Sequence, residues 1–125
     1  MTDKKDEYTY TTDEDFEVFK EECNKWIKRF GLFGWKVYYH HEEIDENAYA
    51  VCFANTMGRV SDIKLNKKCD TKDLNIRKTA FHEVCELLLA KVEVLIKDRA
   101  YCYEDTREEI HNLIRIFERV IYDSK

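Results

Sequence analysis

The chain of 125 residues is long enough for one domain with a real core and too short for two. Lys and Arg number 21 against 26 Asp and Glu, giving a net charge of -5, opposite in sign to a phosphate-binding footprint and so against a nucleic-acid partner. No run approaches the roughly eighteen apolar residues of a membrane span, Thr2 to Glu7 hold no apolar leader, and five cysteines without a CxxC pair (Cys23, Cys52, Cys69, Cys85, Cys102) fit neither a disulfide framework nor a thiolate zinc site. A soluble, cytoplasmic protein whose thiols are reduced core filler is expected.

Charge is unevenly placed: Met1 to Lys25 holds nine acids and four bases, and the remaining residues are balanced. Residues 1–13 read as an acidic, flexible lead-in. Thr11-x-x-Glu14 is a capping box, followed at helical spacing by Phe16, Phe19, Cys23, Trp26, Ile27 and Phe30 before Gly31 closes the segment. Trp35, Val37 and Tyr39 then alternate with Lys36, Tyr38 and His40, and Tyr49 to Ala54 and Val60 to Leu65 are two further β-rich runs, predicting three short antiparallel strands. From Lys72 to about Lys97 a 3.6-residue period returns (Ile76, Ala80, Val84, Leu87, Leu88, Leu95), with Asp70, Thr71 or Asp73 as N-cap. The polar stretch Asp98 to Asp105 leads to a second capping box, Thr106-x-x-Glu109, and a last helix with the stripe Ile110, Leu113, Ile114, Phe117, Val120 and Ile121. The fold class is α+β in a single domain spanning 1–125: one helix, a three-stranded antiparallel sheet, then two helices.

The densest polar cluster inside an apolar run is Phe81-His82-Glu83-Val84-Cys85-Glu86. Residues four apart on a helix project side by side, so His82 and Glu86 can grip one ion, with Glu86 where H-E-x-x-H places its second histidine. Glu83, about 100° round the helix, is then the general base acting on a metal-bound water. A catalytic zinc wants three protein ligands, and the last helix offers His111 or Glu118 on one flank. A tight hairpin near Tyr101 brings Glu118 level with His82, whereas His111 needs the connection to run back along the preceding helix by roughly 10 to 15 Å. The competing reading is a solvated helix face, since Lys78, Thr79, His82, Glu83, Glu86, Glu93 and Lys97 fall on one arc. His40 and His41, at a strand end, read as surface residues. Glu108-x-x-His111 has the spacing of a carboxylate-bridged di-iron helix, but that site needs a second such pair and more helices.

At these residues the sequence resembles the minimal zincin-like metallopeptidases, the small type often encoded by bacteriophages, from about Trp26 to Ile121. The resemblance rests on His82-Glu83-Val84-Cys85-Glu86 with Leu87, Leu88 and Leu89 behind it, on the order of elements, and on a closing helix containing His111-Asn112-Leu113-Ile114-Arg115. It implies a Zn2+ ion, hydrolysis of a peptide or protein substrate laid against the sheet edge, His82 as first helix ligand, Glu83 as general base, Glu86 in place of the usual second histidine, and His111 favoured over Glu118 as third ligand. A carboxylate in that place adds negative charge and makes the metal a weaker Lewis acid. The alternative function is a non-catalytic phage-type binding protein with a structural or vestigial metal site, docking on a host protein through its acidic front or sheet edge. Either would act in the cytoplasm, the host's if phage-encoded.

Overall fold

In the computed structural model, which describes residues 9–45, 47–97 and 103–123, the chain enters as a short strand, β1 (Thr9–Tyr10), paired antiparallel with β5 (Lys68–Cys69). Residues 9–13 of the expected lead-in are thus held in β1 and at the start of α1, and residues 1–8 lie outside the described residues. Thr11 is buried because both functions of its hydroxyl are used: it donates to the Asn66 carbonyl at 2.8 Å and meets His41 Nε2 at 2.7 Å. The cap of α1 (Asp13–Arg29) moves one residue along for the same reason. Thr12 Oγ1 accepts from the Asp15 N–H at 3.0 Å, and Asp15 Oδ2 accepts from the Thr12 N–H at 2.9 Å, so the capping box is Thr12 and Asp15 in place of Thr11 and Glu14. Gly31 follows the helix in the left-handed region at φ +70.

The three expected strands form, but not as an antiparallel meander. β2 (Lys36–Glu42), β3 (Ala50–Asn55) and β4 (Val60–Asn66) lie in the order β2-β4-β3, with β2 parallel to β4 and β3 antiparallel to it. The seven residues between Glu42 and Ala50 exceed a tight hairpin loop and can step across two strand spacings of about 4.8 Å each, leaving room for β4 between. β4 takes the centre because its alternate residues Ser61, Ile63 and Leu65 are fully buried.

The long helix expected from Lys72 to Lys97 starts later and is divided. Asp70 is occupied in a turn, its carboxylate accepting from the Lys72 N–H at 3.0 Å, and the N-cap of α2 (Ile76–Leu88) is Asn75, which accepts from the Lys78 N–H at 3.0 Å. Leu89 leaves helical geometry before α3 (Ala90–Lys97). Four consecutive apolar residues, Leu87 to Ala90, would spread round nearly a full turn of a straight helix; the break lets Leu87 and Ala90 be buried with Leu89 packed against the core. α4 (Tyr103–Phe117) already contains Thr106 in its first turns, so Thr106-x-x-Glu109 is interior helix and not a cap; residues 98–102, with most of the expected Asp98 to Asp105 connection and Cys102, lie outside the described residues. The last described element is a π-helical turn, Glu118–Tyr122, closed by the Asp123 N–H on the Glu118 carbonyl at 2.8 Å. Ile110 and Ile114 are buried as expected, whereas Leu113, within α4, is exposed; the extra residue of the last turn then leaves Ile121 exposed and packs Tyr122 in its stead, with its ring 5.4 Å from Phe81.

The described residues thus make an α+β fold with four α-helices and two small sheets. Its core joins Phe19, Cys23 and Trp26 of α1, Ile63 and Leu65 of β4, Ala80, Phe81 and Val84 of α2, and Ile110 and Ile114 of α4. No helix among the described residues is long and apolar enough to cross a membrane. The four described cysteines are free. Burial pushes the Cys52 and Cys85 thiols up to about 12, so they remain protonated filler.

His40 is a surface residue, paired with Asp62 at 2.8 Å, but His41 is not. Its side chain is 8% exposed, stacked on Phe16 at 4.9 Å and bonded to Thr11. Its cover by Thr11 and Phe16, thirty and twenty-five residues away, could not be read from the sequence. Burial and the nearby Lys67 hold its pKa below the ordinary 6.5. The unfolded chain therefore takes up a proton there at higher pH than the folded one, and stability is full above 6.5 and declines as pH falls below it. Urea unfolding of the wild type should lose stability from pH 6.5 to about 5.5 more steeply than His41→Gln, by up to about 1 kcal/mol; parallel slopes would show that the ring is not buried neutral.

Candidate metal centre

α2 must serve the core and a polar site within the same turns. Phe81, Val84 and Cys85 are fully buried, which leaves His82 and Glu86 on the flank that meets α4 and turns Glu83 inward at only 4% exposure. The solvated-arc reading fails for these three residues. α4 and the π-helical turn after it return antiparallel along α2 and α3, with Glu118 of the turn beside His82, and His111 and Arg107 of α4 beside Glu86 and Glu93.

One ligating atom from each of His82, Glu86 and His111 lies within 4.8 Å of the other two. Glu86 Oε2 sits 3.2 Å from His82 Nε2 and 3.1 Å from His111 Nε2, a little under the roughly 3.4 Å between donors that bonds of about 2.1 Å produce round a tetrahedral zinc. His82 Nδ1 donates to Glu118 Oε2 at 2.7 Å. The two candidates for third ligand are therefore not rivals for one place: His111 meets the inner side of the cluster and Glu118 holds the far nitrogen of His82. Such a carboxylate fixes the tautomer that presents Nε2.

Burial opposes a charge on His82, but the Glu86 hydrogen bond, the nearby Glu83 and the Glu118 contact win and raise it to about 9. Glu86 also resists burial, and is held down at about 2 by hydrogen bonds from His82 and Arg107. Glu83 has no comparable partner. Burial, aided by the adjacent Glu86 carboxylate, pushes it up to about 8, and its Oε1 is buried without a hydrogen bond. A buried polar atom with no partner costs about 1–3 kcal/mol and calls for an explanation. Glu83, His82 and Glu118 line a cleft of about 320 Å³ together with Tyr49, Ala50 and Thr79.

Sequence reasoning missed Arg107. Its guanidinium donates to Glu86 Oε1 at 2.6 Å and to Glu93 Oε2 at 3.2 Å. The available signal was that Glu86 and Glu93, seven apart on one flank, need a cation from the facing helix, and that Arg107 is four residues from His111. No protein-family model matches the chain, and no curated protein or solved structure matches it significantly.

The elevated Glu83 pKa has a measurable consequence. The folded chain keeps a proton there that the unfolded chain releases above about 4.5, so stability is greatest below 4.5 and is lost as pH rises to about 8. Glu83→Gln should stabilise the metal-free chain by on the order of 2 kcal/mol at pH 8 and by little near pH 4.5. An equal or lower urea midpoint at pH 8 would contradict the burial of an uncompensated carboxyl.

Proposed function

We propose that the chain is a zinc-dependent metallopeptidase of the minimal zincin-like kind, acting in the cytoplasm, with His82, Glu86 and His111 holding Zn2+ and Glu83 as general base. The observation that carries this reading is Glu83 Oε1, a buried, unpartnered carboxyl oxygen beside a three-donor cluster. Two histidines and a carboxylate suit zinc, and they also suit non-haem iron(II). The uncommitted base favours hydrolysis over oxygen chemistry.

When bound, zinc polarises a carbonyl and acidifies a water. The rest belongs to the protein's own groups. Glu83 Oε1 takes the proton of the attacking water and returns it to the leaving amine; a carboxyl raised toward neutrality is suited to both transfers. Glu118 keeps His82 oriented through Nδ1. The outer strand β3 contributes Ala50 to the wall of the cleft, and its free edge can pair with an extended peptide segment or a loop of a protein substrate.

A second reading has its own support. Arg107 and the two histidines already satisfy Glu86, as expected of a non-catalytic binding protein with a structural or vestigial site that docks on a host protein.

Untagged protein incubated with zinc and desalted should retain one ion per chain. His82→Ala and His111→Ala should lose more affinity than Glu118→Gln, which should cost about 10- to 100-fold as an outer partner. Glu83→Gln should keep the ion and lose cleavage of a peptide library; cleavage surviving in that variant would sink the mechanism, and zinc bound by a wild type that cleaves nothing would favour the second reading. Because His82 must shed a proton held up to about 9, apparent zinc affinity in chelator competition should climb with pH by up to about tenfold per unit and level off above about 9.

A further inference from the structure

The two oxygens of Glu86 are used differently. Oε2 faces both imidazoles, at 3.2 and 3.1 Å, while Oε1 receives Arg107 at 2.6 Å. That short charge-assisted contact is braced from behind, since the same guanidinium reaches Glu93 Oε2 at 3.2 Å, which ties α4 to both α2 and α3. Arg107 and Glu86 line a cleft of about 260 Å³ distinct from the one lined by His82, Glu83 and Glu118. The guanidinium thus engages Glu86 through Oε1 and leaves Oε2 to the two imidazoles.

We infer that Arg107 is a positioning residue that makes Glu86 a one-oxygen, charge-compensated ligand, closer in net charge to the histidine that H-E-x-x-H carries at this place. This rests on the reading of His82, Glu86 and His111 as metal ligands. A carboxylate with both oxygens free can chelate a cation bidentately and suits hard ions with high coordination numbers. With Oε1 drawn to the guanidinium, Oε2 is the oxygen that faces the imidazoles and the better placed of the two to coordinate. The guanidinium, in its shorter contact, also offsets the carboxylate charge of Glu86, although it shares its own charge with Glu93. The loss of Lewis acidity that a carboxylate ligand brings is partly offset within the same pair.

The test uses the full metal-free chain titrated with Co2+, Zn2+ or Mn2+ alone. Wild type should give the intense visible absorption of four-coordinate Co2+ and prefer Zn2+ over Mn2+. Arg107→Met should weaken that absorption as coordination number rises, and should shift the Mn2+ to Zn2+ affinity ratio toward Mn2+ by about tenfold or more. Glu86→Gln supplies the comparison, because a neutral amide offers one carbonyl oxygen whether or not Arg107 is there. In the Glu86→Gln background, adding Arg107→Met should leave both spectrum and ratio unchanged. A merely structural arginine would move both backgrounds alike, and that result, or an unaltered spectrum and ratio in Arg107→Met alone, overturns the inference. Should Arg107→Met not fold, Arg107→Gln makes the same comparison with a polar, helix-compatible side chain. If wild type binds none of the three ions, it is the metal-site reading that fails.

Discussion

The edge-to-face contact of Phe81 on Trp26, with ring centroids 4.6 Å apart, sets the rotation of α2 about its own axis, and the polar cluster follows from that rotation. Once Phe81, Val84 and Cys85 point into the core, helix geometry leaves no freedom for their neighbours. His82 and Glu86 must face α4, and Glu83 must lie at the boundary where α2 meets β3. An apolar contact thus determines which carboxyl is left without water and which is given partners.

The difference between the two carboxyls illustrates how environment separates residues of one type. Glu86 gathers two imidazoles and a guanidinium and is firmly ionised, whereas Glu83, three residues away, gathers none and favours its proton. The fold bears the cost of Glu83 elsewhere in a core made of Phe19, Ile63, Leu65 and Ile114. Unfavourable burial retained at one position, beside three convergent donors, is what supports the proposed metal site.

Much of this was legible in the residues themselves. Helical spacing located the buried faces of α1 and α2 and, in α4, Ile110 and Ile114 but not Leu113, and the i, i+4 pair His82 and Glu86 converges as its spacing implies. What was not legible depended on choices between groups far apart in sequence. Thr11 and Thr12 are equivalent cap candidates until Thr11 is drawn to Asn66 and His41. Strand order turned on a loop long enough to permit two arrangements, decided by the burial of Ser61, Ile63 and Leu65. His111 and Glu118 looked like alternatives because arithmetic along one helix treats the site as a single level; the cluster spans a full turn, so both find a place, and Arg107 enters only through the register between helices.

The widened last turn, Glu118–Tyr122, reconciles two demands made of one helix. Glu118 belongs to the phase that serves His82, and Tyr122 to the phase that closes over Phe81 and Trp26. A regular helix could not honour both, since they differ by one residue of advance. The turn behaves as a one-residue insertion absorbed without a loop. Removing one residue there would close the turn into a regular helix with the carboxylate and the aromatic lid both near their present places, whereas straightening it with every residue kept would rotate Tyr122 away from Phe81.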